Sequence, residues 1–108
     1  MKRYSIVIQT IVNEQPQHVF VQHHGVHEGK VPDLFREVVN EQAAIIERGK
    51  PEQVYNVRNF DVPYSYAVSA FFPGGAQKSV HVFVATKEDA APYYAAQEAL
   101  KHAVGAGG

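Results

Sequence analysis

Neither cysteine nor tryptophan occurs among the 108 residues. Without a thiol, disulfide stapling, thiolate nucleophiles and cysteine-based metal sites are excluded. The absence accords with a reducing compartment, so a cytoplasmic location is the expectation. Charge of one sign is also missing: ten Lys and Arg face eleven Asp and Glu, for a net charge of −1. A near-neutral chain has no electrostatic footprint for a polyanion, which argues against nucleic acid and an anionic membrane as partners. No apolar run approaches the roughly 20 residues that span a bilayer. The start Met1-Lys2-Arg3 leads into an alternating pattern rather than the core of a signal peptide.

What is present is ordinary for a globular domain: 45% hydrophobic and 19% charged residues. At this length a division would leave halves too small to bury a core. One domain over residues 1–104 is expected, with 105–108 as a flexible glycine-rich tail. Tyr4 to Val12 alternates as a strand does, Asn13-Glu14-Gln15-Pro16 is a turn signal, and Gln17 to His23 alternates again, giving an antiparallel hairpin. Gly25 to Lys30 has no period and reads as a loop. Pro32 opens a helix that runs to Arg48, with Gly49 as its left-handed stop and Pro51 beyond. Leu34, Phe35, Val38, Gln42, Ile45 and Ile46 share one side of it.

Three extended runs follow: Gln53 to Val57, Tyr64 to Phe72, and Lys78 to Ala85, the last two separated by the turn Pro73-Gly74-Gly75. The third is apolar on both sides, as in a central strand covered twice or one meeting a partner. A final helix spans about Asp89 to Val104, with Thr86 and Asp89 as a capping box and Pro92 arguing for a late start. The predicted architecture is a two-layer α+β domain of order ββαβββα. It has about five mostly antiparallel strands, with two helices on one face.

Two stretches look like known families. The run Ala95-Ala96-Gln97-Glu98-Ala99-Leu100, after a helix and three strands, resembles the last helix of double-stranded RNA-binding domains. That family places lysines before the alanine pair to hold phosphates, where this chain has Glu88, Asp89 and Pro92 with only Lys87 nearby. The first six elements have the order of a β-grasp fold. The terminal Gly107-Gly108 is similar to the activated diglycine of ubiquitin-like and sulfur-carrier proteins of that fold. In those families it follows a strand, whereas here a helix intervenes.

The best metal candidate is His23-His24-x-x-His27-Glu28, three imidazoles and a carboxylate that zinc or another divalent transition metal could gather if the loop curls. On a strand, however, adjacent His23 and His24 leave on opposite faces. No cofactor is otherwise expected. Motifs for a nucleophile elbow, a phosphate loop or a dinucleotide turn are missing, so the sequence leans away from an enzyme. Aromatic and β-branched residues crowd the last strands. Tyr64, Tyr66, Phe71, Phe72, Val80, Val82 and Phe83 present more apolar surface than two helices on one face would cover. The expected function is a non-catalytic interaction or regulatory module that pairs with itself, or with another protein, through its sheet. The alternatives are a small enzyme or ligand-binding domain with a pocket between sheet and helices, and a metal-responsive protein using the His23 to Glu28 loop.

Overall fold

A computed structural model describes residues 2–107, apart from the side chains of Pro16, Gln17 and residues 100–107. The elements are β1 (Arg3–Val12), β2 (Gln15–His27), α1 (Val31–Arg48), β3 (Gln53–Asn59), β4 (Ser65–Phe71), β5 (Gln77–Thr86) and α2 (Lys87–Gly107). A single 3-10 turn, Glu28–Lys30, joins β2 to α1. The five strands form one sheet in the order β2-β1-β5-β4-β3, and every pairing is antiparallel. The expected α+β class and the order ββαβββα are both present.

The first hairpin closes in two residues, with Val12 opposite Gln15. Asn13 and Glu14 both have positive φ, 49° and 68°, as a turn matching the right-handed twist of its strands requires. Asn13 also ties this turn to β5. Its N–H donates to the Gln77 carbonyl, and its Oδ1 accepts the Gln77 N–H, each at 2.9 Å.

Two apolar clusters lie on opposite sides of the sheet. Ile6 and Ile8 of β1, Tyr66, Val68 and Ala70 of β4, and Val80 and Val82 of β5 pack against Phe35, Val38, Val39 and Ile46 of α1. Across the sheet, Val7, Val21, Phe83 and Ala85 pack beneath Ala90 and Tyr93 of α2. The helices therefore do not share a face, and the domain has three layers rather than two. The hairpin and β5 are apolar on both sides, and burying both requires a helix on each. The coverage is unequal, because α2 lies over β2 and β1 and leaves the β4–β3 side of its face open.

Local differences have local causes. In α1, Val39 is buried and Ile45 is 40% exposed, so the buried stripe is rotated toward Val31 and Val39 from the one expected. Gly49 has a helical φ of −75°, and the left-handed residue is Lys50 at 54°. A Cβ on Gly49 would stand 2.8 Å from Phe72 Cε1, so close approach explains the glycine, not handedness. β2 extends to His27 through the expected loop by bulging, with positive φ at His23 and Gly25. Thr86 Oγ1 accepts the Asp89 N–H at 3.2 Å, so α2 starts at Lys87 and encloses Pro92. Both Pro92 and Glu88, whose carbonyl loses its helical partner there, are exposed to water. The helix continues through Gly107, where a tail from Gly105 is expected; Gly108 lies outside the described residues.

Candidate interaction surface

The uncovered half of the sheet follows from the strand register. Ala67 pairs with His81 and Val57, and Ser69 pairs with Ser79 and Tyr55, so these residues share the face of Phe83 and α2. Beyond the reach of α2 they are left to solvent. Val57 is 68% exposed and Tyr55 61%, and Phe71 meets Tyr55 edge-on at 6.1 Å. Ser69 and Ser79 join their hydroxyls across the strands at 3.1 Å. A broad depression of about 610 Å³ lies over Tyr55, Asn56, Val57, Ala67 and Ser69. On the α1 face, a groove of about 170 Å³ runs between Ala43, Ile46 and Glu47 and the β3 residues Val54, Asn56 and Arg58. The Arg58 guanidinium sits 5.4 Å from the ring of Tyr66 at the bottom of this groove. Burial raises the Tyr66 phenol above its ordinary pKa; Arg58 opposes that shift and Glu47 adds to it.

The two sheet edges differ. The ladder between β1 and β2 shifts register twice, between Tyr4 and Ile6 and between Thr10 and Ile11. Pro16 lacks a donor, and the N–H of Val21 is taken by the side-chain oxygen of Gln97. β3 pairs with β4 without a shift over seven residues, contains no proline or lysine, and is exposed along nearly its whole length.

The expected interface residues separate into three groups. Tyr66, Val80 and Val82 are 2% exposed or less and belong to the core under α1, because their strand positions face that helix. Tyr64, Phe72 and Phe83 are half-buried: Tyr64 lies 5.4 Å from the ring of Phe35, Phe72 against Gly49, and Phe83 5.3 Å from Tyr93. Phe71 alone lies on the open face. Tyr55, Val57 and Ala67 share that open face but are not among the residues the sequence singles out. Their one signal was the alternation of Tyr55 and Val57 with polar neighbours, in a run that could have been any strand.

The proposed metal ligands are not brought together. Among the described residues, no three His, Asp or Glu side chains could hold one ion. His23 has positive φ, and the ring of its neighbour His24 stacks on Tyr94 at 4.9 Å while its Nδ1 is hydrogen-bonded to Ser5 Oγ at 2.7 Å. Ser5 is fully buried and also accepts the Gly25 N–H at 3.3 Å, so the pair supports the bulge rather than offering a nucleophile to solvent. At the end of the sheet, Tyr4, Glu28, Val31, Val62, Tyr64 and Asp89 are among the residues that line a cavity of about 380 Å³. Among the described residues, no helix is long and apolar enough to cross a membrane.

Comparison with protein-family models, with curated proteins and with solved structures found no match. The resemblances to RNA-binding and diglycine-ended families therefore gain no support from relatives.

Proposed function

We propose that this chain is a non-catalytic protein-interaction module of the cytoplasm that associates with itself through its sheet. The observation that supports the reading is the half-sheet left open by α2, where the large side chains of Tyr55 and Val57 face water together. Tyrosine at such a place offers apolar area with a polar tip at low entropic cost, as interface residues do. A net charge of −1 speaks for a protein partner over nucleic acid or an anionic membrane, and the lack of cysteine suits a reducing cytoplasm.

Sedimentation equilibrium tests it. In the tens of micromolar the expected mass is twice 12.0 kDa, and the double substitution Tyr55→Ser with Val57→Ser is expected to return it toward 12.0 kDa. A mass of 12.0 kDa at every concentration overturns self-association. That result would favour the second reading, ligand binding in the cavity at the sheet end. There Glu28 and Asp89 beside Tyr4 and Tyr64, with apolar Val31 and Val84, suit a small organic cation.

A further inference from the structure

We propose that two copies of this chain join edge to edge through β3, antiparallel about a two-fold axis at Asn56, to form one ten-stranded sheet. The inference rests on the self-association reading and specifies its geometry.

Four features of β3 point the same way. First, it is a regular, unguarded edge. Exposed strands in stable proteins are usually blunted by bulges, prolines, charged side chains or a covering element; the β2 edge has two register shifts and Pro16, whereas β3 carries only the charge of Arg58. Second, the segment Gln53-Val54-Tyr55-Asn56-Val57-Arg58-Asn59 suits itself when reversed. An axis at Asn56 sets Gln53 against the partner's Asn59, Tyr55 against the partner's Val57, and Asn56 against its own copy. The two most exposed side chains of the open face thus cover each other as aromatic and β-branched cross-strand pairs, among the favourable kinds.

Third, β3 is hollow on both sides. A strand added at this edge would set alternate side chains beside the 610 Å³ depression on one face and the 170 Å³ groove on the other. Fourth, charge is placed for the pairing. The same register sets the partner's Arg58 beside Val54, which shares its groove with Glu47. The two-fold axis makes that contact twice, as isologous interfaces do. Main-chain hydrogen bonds supply the binding, and these pockets supply the selectivity, as in other strand additions.

A chain without cysteine permits a clean test. Cα atoms directly opposite in an antiparallel pair lie about 4.5–5.5 Å apart, within the range a disulfide spans. The variant Asn56→Cys, oxidised mildly under native conditions, is expected to convert nearly all of the chain into a covalent dimer. The variant Ala67→Cys, in the middle of the open face, is expected to stay unlinked, because β3 and its copy would lie between the two β4 strands. Glu47→Arg should weaken the dimer, and Glu47→Arg with Arg58→Glu should regain much of the loss. If the chain is a dimer but Ala67→Cys links instead, or neither variant links, the edge geometry is wrong and self-association survives. If sedimentation shows a monomer throughout, both fall.

Discussion

At Gly49 the backbone is helical, so an alanine there meets no conformational penalty and, by lowering the entropy of the unfolded chain, would stabilise the fold by about 0.4–1 kcal/mol. The ring of Phe72, 2.8 Å from the Cβ position, opposes this, and overpacking of that kind costs about 1–3 kcal/mol. The collision should win. Gly49→Ala is expected to lower the melting midpoint by several degrees. Adding Phe72→Leu should make the alanine neutral or stabilising, a coupling read from a double-mutant cycle. If the alanine costs the same beside either ring, the contact is not what keeps the glycine. Tyr66 yields a pH prediction. Burial raises its phenol above the ordinary 10.0, so the folded state holds the proton more firmly than the unfolded chain. That stabilisation is whole below pH 10 and is lost as the pH climbs through the raised folded value. Urea unfolding above pH 10 should therefore weaken wild type more steeply than Tyr66→Phe, and parallel curves would refute it.

Single residues were only partly legible beforehand. A histidine cluster is plain in the sequence, but whether its rings converge depends on backbone handedness at His23 and Gly25, which has no periodic signature. Tyr66 and Phe71 are five residues apart on one strand, and parity alone sends the first to the core and the second to solvent.

Elements were more legible than residues, because amphipathic periods and turn chemistry act over many positions. All seven elements were foreseen in order, and Pro32, Pro73 and Gly74 marked their boundaries. What failed was the face. A strand apolar on both sides says that two layers must cover it, but not which helix goes where; here the alternation of Val82 and Phe83 already held the answer without naming the partners. Strand order was likewise hidden, so β3 could not be seen as an edge. Pro92 misled in another way. Its position argued for a later helix start, yet the cap at Thr86 fixes the first turn and the proline is accommodated on the wet side. Pro92→Ala restores a hydrogen bond to the Glu88 carbonyl. With interior prolines costing ~3 kcal/mol or more in general, the melting midpoint should rise. An unchanged or lower value would mean that the proline is strain-free where it stands.

At the scale of the whole molecule, α1 covers one face of the sheet over β1, β5 and β4, α2 covers the other over β2 and β1, and β3 stays exposed on both sides. That asymmetry identifies the surface available for contact more than any motif does. The contrast between the two edges has a further consequence. A sheet with two open edges can add copies without limit, and the product is a fibre. In this chain the β2 margin is distorted by bulges, lacks a donor at Pro16, and has its Val21 N–H occupied by Gln97. In the dimer proposed above, pairing through β3 would consume the one regular margin of each copy, and growth would stop at two. The irregularities of the first hairpin would then act as the terminator of a polymer that the rest of the sheet could otherwise begin.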